Sequence, residues 1–252
     1  MRLDRFLSHA TGLTRSEAQR AVRAGRVAVD GAPARDAALK VADGAVVALD
    51  GRLVSARGPR YLMLHKPAGC VCATTDGVHP TVLDLLPATE RDGLHVVGRL
   101  DLDVTGLVLL TDDGAWAHRV TAPRRKCPKT YLARLAEPIA DAALDVLRRG
   151  VRLRGEEKDT QPAAVERLAP DRVRITVTEG RYHQVKRMFA AVGNRVAELH
   201  REQIGPVALD PRLAPGGWRA LTAAEVAGLA DCRGRRDRGE GAAPANIVAT
   251  TG

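Results

Sequence analysis

Aromatic side chains are scarce: two Trp, three Tyr and two Phe make up 3% of 252 residues. Any tyrosine in a polar setting therefore needs an explanation. Long apolar runs are missing too. Although 45% of the residues are hydrophobic, no uninterrupted apolar stretch approaches the roughly 18 residues that span a bilayer, and membrane insertion is not expected. Four cysteines are too few for a disulfide framework in a chain of this length, and Cys70 and Cys72 lack the second pair of a zinc knuckle. All four read as reduced, semi-buried thiols. The start, MRLDRFLSHATG, lacks the apolar block and cleavage site of a secretory signal, so the cytoplasm is the expected address. Neither GxGxxG nor GxxxxGK[ST] occurs, so a nucleotide cofactor is not indicated.

What is present is positive charge: 39 Lys+Arg against 30 Asp+Glu, a formal net charge of +9. That balance favours polyanionic partners, and its placement says more than its size. Residues 1–58 carry a net +4, all of it already present within residues 2–26, where Arg2, Arg5, Arg15, Arg20, Arg23 and Arg26 face only Asp4 and Glu17. Leu3, Phe6 and Leu7 at helical spacing, closed by Gly12, predict one short helix. Thr14 with Glu17 forms a capping box that opens a second, ending at Gly25. VAVDG and AVVALDG read as strands running into turns. The expectation is an arginine-studded helix pair on a small hairpin, bounded near residue 58 by SARGPR.

From Tyr61 the pattern becomes apolar strands separated by loops. YLMLHKP is a short buried strand stopped at Pro67. LVLLT, residues 107–111, is continuously apolar and predicts a strand covered on both faces. TYLARL and RVRITVTEG alternate with period two. After Gly180 the period switches, because Val185, Met188, Phe189 and Val192 form a helical stripe. The fold class is α+β with a mixed or antiparallel sheet over residues 59–229. Residues 230–252, rich in Gly, Ala and Arg without periodicity, read as a flexible tail.

Three stretches carry candidate chemistry. In GRLDLDVTGLVLLTDDG, Asp101 lies between Arg99 and Asp103 in a segment leading into a buried strand, where loops commonly present reactive groups. Most aspartates cap turns or pair with arginines. Asp112 and Asp113 before Gly114 fit that description, and a magnesium site at Asp101 and Asp103 ranks low. In KTYLARL, Tyr131 follows the basic run RRKCPK and is a candidate base-stacking surface. In EGRYHQVKRMF, a Gly turn entering a helix with Arg181, Lys186 and Arg187 suits phosphate contact. His65, His79, His183 and His200 lack a metal spacing such as HExxH and read as structural or RNA-contacting.

Together these three stretches resemble, in order and spacing, the three motifs of pseudouridine synthases. MRLDRFLSHATGLTRSEAQRAVRAGRVAVDG is similar to an S4 RNA-binding domain. With GPRYLMLHKP, HPTVLDLLP and ELHREQIG, the resemblance extends to about residue 229 and points to the RsuA family. It implies a mixed-sheet catalytic core behind a small S4-type αα-β domain, with no metal or organic cofactor. Asp101 would be the nucleophile, Tyr131 the aromatic packed on the target uracil, and Lys186 the cation paired with the aspartate. Arg99 and Arg181 would hold the flipped nucleotide and its phosphates, and Leu199 would be the apolar neighbour of the base. The six N-terminal arginines would bind RNA phosphates. The implied partner is small-subunit rRNA or an assembly intermediate, and the expected state is a monomer.

Pseudouridine forms when the bond from ribose to N1 breaks, the uracil turns, and C5 joins the sugar. The aspartate could attack the anomeric carbon, add to the ring, or draw a sugar proton, and each route needs it charged. Burial beneath a base would oppose that charge unless a cation stood close, which makes an Asp101–Lys186 pair in a water-poor cleft the central expectation. Two rivals stand beside it. One is a family member acting on large-subunit rRNA or tRNA, disfavoured by lysine rather than arginine in HQVKRM. The other is a noncatalytic ribosome assembly factor, which would have no need of Asp101.

Overall fold

The structure, a computed structural model, describes residues 1–42, 44–55 and 58–233. The N-terminal unit opens with α1 (Leu3–Thr11) and α2 (Arg15–Arg23). Thr14 caps α2 as expected: its hydroxyl accepts from the Glu17 amide, and the Glu17 carboxylate accepts from the Thr14 amide at 2.8 Å. Leu3, Phe6 and Leu7 pack on Ala18, Ala21 and Val22 and on the strands below. Those strands are β1 (Val27–Val29), β2 (Ala32–Pro33), β3 (Val47–Leu49) and β4 (Arg52–Val54), ordered β2-β1-β3-β4. The sequence signals β1 and β3 but not their outer partners. β2 is a two-residue exposed edge and β4 has no buried residue, so neither carries an apolar alternation.

The second unit is one nine-stranded mixed sheet. Its strands are β5 (Tyr61–Lys66), β6 (His95–Val97), β7 (Thr105–Thr111), β8 (Lys129–Leu135), β9 (Ala164–Ala169), β10 (Arg172–Val177), β11 (Val196–Ile204), β12 (Val207–Ala208) and β13 (Trp218–Ala220). The main path runs β13-β5-β7-β11-β8-β10-β9, with β6 against β7 and β12 against β11. Among the strand pairs of the described residues, only the central β7–β11 pair is parallel. Helices α3 (Ala88–Arg91), α4 (Gly114–Thr121), α5 (Asp141–Arg149), α6 (Gln184–Ala191) and α7 (Ala223–Asp231) connect or cover the strands.

The apolar run of β7 has the burial predicted for it. Val108 and Leu110 enter one core cluster, Leu107 and Leu109 the other, so the strand is covered on both faces. Asp113 caps α4 by accepting from the Ala115 and Trp116 amides, and buried Asp112 pairs with Arg60 at 2.8 Å. Both have structural uses. All four cysteines are free and buried. α7 runs to Asp231, and Leu229 and Cys232 are buried in the core, so residues 230–232 belong to the folded unit and not to the expected tail. Residues 234–252 of that segment lie outside the described residues. No helix among the described residues is long and apolar enough to cross a membrane.

Candidate active site

A cleft of about 800 Å³ opens beside the central strands and gathers residues from all three sequence motifs. Its floor is Tyr131 of β8 with Leu199 and Arg201 of β11, and its wall is the 98–104 loop between β6 and β7. β8 alternates, so Tyr131 shares its inward face with Ala133 and Leu135. Leu199 and Arg201 share one face of β11 for the same reason. The helix α6 begins at Gln184, with His183 before it in left-handed backbone (φ 47°), and Lys186 in its first turn points across the cleft.

There Lys186 meets two carboxylates of the loop. Its Nζ lies 3.3 Å from Asp101 Oδ2 and donates to both Asp103 oxygens, at 2.6 and 2.9 Å. The expected Asp101–Lys186 pair is thus present, and Asp103 is the tighter partner. Burial works against the charge on Lys186, but the hydrogen bond to Asp103 and the fields of both aspartates outweigh it and hold the ammonium above the ordinary lysine range. The same hydrogen bond holds Asp103 below the usual carboxylate range. His183 Nε2 stands 3.4 Å from the other Asp101 oxygen, a contact that its isolated position in the sequence does not signal. The cleft is open rather than dry: the Asp101 side chain is 30% exposed. Water exclusion therefore falls to whatever fills the cleft.

Two buried cations missed by sequence reasoning hold the loop on either side of Asp101. Arg201, 1% exposed, donates from Nε to the Leu107 carbonyl at 2.8 Å and from Nη2 to the Gly98 carbonyl at 2.7 Å. Its Nη1 lies 3.4 Å from both the Arg99 carbonyl and the Tyr131 hydroxyl. Lys66, fully buried at the end of β5, donates to the carbonyls of Pro67, Leu102 and Val104 at 2.9, 3.2 and 2.8 Å. Burial pulls its pKa below the ordinary lysine value. One cation fixes residues 98–99 and the other residues 102–104, so the backbone carrying Asp101 is positioned by hydrogen bonds that leave its carboxylate free. A signal for Arg201 was available: it lies two residues after Leu199, a charge on the apolar face of a strand.

The other nominated residues separate by partner. Arg99 is exposed at the cleft. Arg181 also lines the cleft, but its guanidinium meets four acceptors: Glu156 at 2.5 Å, Glu179 at 2.9 Å and the carbonyls of Lys158 and Asp159. In this arrangement Arg181 clamps the 156–159 loop to the turn before α6, with no η nitrogen left for a phosphate. In the N-terminal unit Arg2 and Arg15 converge on fully buried Asp4, at 3.0 and 3.5 Å, and Arg26 pairs with Asp50. Arg5 donates to the Asp112 carbonyl at 3.2 Å. Arg20 and Arg23 are exposed and make no ion pair among the described residues. No cluster of His, Cys, Asp and Glu among the described residues has the arrangement of a metal site.

Residues 60–191 match the RNA pseudouridylate synthase family, and residues 1–47 match the S4 domain. The chain is 53% identical over 230 residues to the ribosomal small subunit pseudouridine synthases A of Salmonella typhimurium and Escherichia coli, covering 91% of this chain and all of each relative. The enzyme of that name from Vibrio cholerae is 49% identical over 229 residues, covering 91% of this chain and 99% of the relative. A crystal structure of a pseudouridylate synthase superposes with a TM-score of 0.67 at 43% identity, over 91% of this chain and 99% of that one. A match across more than half the chain, and relatives this similar over nearly their whole length, leave one conclusion: the chain belongs to the RNA pseudouridylate synthase family, with an S4 domain at its N-terminus.

Proposed function

We propose that this enzyme isomerises uridine to pseudouridine in small-subunit rRNA, with Asp101 as its nucleophile. The observation that carries the assignment is the convergence of Asp101 and Lys186, 3.3 Å apart, in one cleft floored by Tyr131 and Leu199. The substrate follows from relatives of 49–53% identity that are named for the small subunit.

The chemistry assigns each group a task. The C1′–N1 bond breaks, C5 bonds to C1′, a proton leaves C5 and N1 gains one. Asp101 has to stay charged when a base covers it and removes its water, and the adjacent ammonium of Lys186 lowers the cost of that burial. The target uridine reaches the cleft by leaving its stack, at a cost of a few kcal/mol. Contact with Tyr131 can return roughly 1–3 kcal/mol of it, with Leu199 as its apolar neighbour on the same floor. Arg99, exposed at the rim, is placed for a phosphate.

The test is to map pseudouridine chemically in rRNA from cells with and without this gene. One small-subunit position is expected to be lost. A position lost instead from large-subunit rRNA or from tRNA would overturn the substrate assignment. The N-terminal arginines make a separate prediction. Replacing Arg20 and Arg23 with Ala should weaken binding and flatten the dependence of log K on log salt by roughly 0.7–0.9 for each phosphate contact removed. Titrations at several salt concentrations read this out, and an unchanged slope would remove these two residues from the RNA surface.

A further inference from the structure

Of the seven aromatic residues, Phe6, Trp116, Tyr131 and Phe189 are buried, and Tyr61 and Trp218 are half-buried. Tyr182 is 77% exposed. It lines the mouth of the cleft, in the turn between β10 and α6. One face of its ring stacks on the His183 imidazole, with centroids 3.7 Å apart and planes 21° from parallel. His183 in turn stands 3.4 Å from Asp101. The backbone beneath is tied down as well. The Tyr182 carbonyl accepts from Arg187 Nη1 at 3.1 Å, and Arg187 is held by Glu156 at 2.6 Å and the Arg154 carbonyl at 2.9 Å. An anchored aromatic ring with one face covered and the other open to solvent does nothing for the core. In a chain this poor in aromatics, its position beside the reactive carboxylate calls for a ligand with a flat face.

We propose that Tyr182 stacks on an unpaired base of the substrate RNA next to the target uridine, so that it helps hold the opened RNA at the cleft. The inference rests on the RNA-isomerase reading above. Withdrawing a uridine from its stack uncovers a face of each neighbouring base, and an exposed tyrosine ring replaces that lost contact without reading sequence. The ledge is continuous from outside inward: base, Tyr182, His183, Asp101. Tyr131 lies on the cleft floor for the flipped base, so the two tyrosines take different nucleotides. The contact is one of ring faces rather than charge, which separates it from the arginine contacts to phosphate.

The experiment uses the full chain and an rRNA fragment spanning the uridine that depends on this gene, with turnover and equilibrium binding measured side by side. Tyr182→Ala should raise KM and Kd roughly tenfold, with the loss falling on these rather than on kcat, and Tyr182→Phe should restore wild-type values. The slope of affinity against salt should not change. Removing the base 5′ or 3′ of the target should, at one of the two positions, weaken wild-type binding by the same factor and leave Tyr182→Ala indifferent. Equal affinity of Tyr182→Ala and wild type for the intact fragment would overturn the proposal. So would failure of Phe to restore binding, or losses at both abasic positions that simply add to that of the variant. A fragment that is bound but not isomerised by the wild type would count against the assigned activity, while the binding arm still decides the role of Tyr182.

Discussion

Asp101→Asn is expected to abolish pseudouridine formation, by at least about 10⁴-fold, and to leave RNA binding nearly unchanged. The amide keeps the shape of the side chain and loses its charge and nucleophilicity. The surroundings tolerate the exchange because Lys186 does not depend on Asp101: its shorter hydrogen bonds, 2.6 and 2.9 Å, go to Asp103. No ammonium is stranded, and the loop is held through its carbonyls by Arg201 and Lys66 rather than through the Asp101 carboxylate. Quantifying pseudouridine in an rRNA substrate after single turnover, beside a binding titration, separates the two effects. Retained turnover would reject Asp101 as the nucleophile, and binding lost in parallel with activity would mean that the loop had rearranged.

Gly106→Ala is expected to destabilise the catalytic unit by about 3–5 kcal/mol, and a chain of this size should then melt roughly 10 °C lower. Gly106 lies where β7 meets β11 in parallel, opposite Arg201, with φ at +108°, a region that L side chains rarely adopt. A Cβ built there comes 2.3 Å from the Arg201 carbonyl oxygen and 2.6 Å from its nitrogen, both backbone atoms with little freedom to yield. The strands must part, and with them moves the guanidinium that fixes Gly98 and Arg99. Thermal unfolding followed by circular dichroism checks the stability, and the surviving folded fraction should also show reduced kcat. An alanine variant of wild-type stability and activity would show that the close approach of the two strands is not required.

Much of the fold was legible in the sequence because burial leaves a period. Continuous apolarity marked β7, alternation marked β8 and β10, and the switch to a helical stripe after Gly180 marked α6. The capping box at Thr14 and Glu17 is local chemistry and needs no tertiary context. Strands β2 and β4 left no mark because an exposed two- or three-residue edge needs no apolar face. Asp101, Tyr131 and Lys186 were nominated by motif, and the structure places all three on one cleft.

The sequence by itself determined which residues could carry the chemistry and which strongly patterned segments would become helices and strands, since both depend on side-chain type and short-range spacing. Only the tertiary structure decided how the cations are shared. Lys186 divides its charge between Asp101 and Asp103, Arg181 is consumed by carboxylates and carbonyls of a neighbouring loop, and Arg201 and Lys66 go into the interior to hold the backbone around Asp101. A guanidinium or ammonium has the same donors wherever it lies. Which acceptors it meets is set by strand pairing and loop closure between residues far apart in the chain, and no local pattern records that.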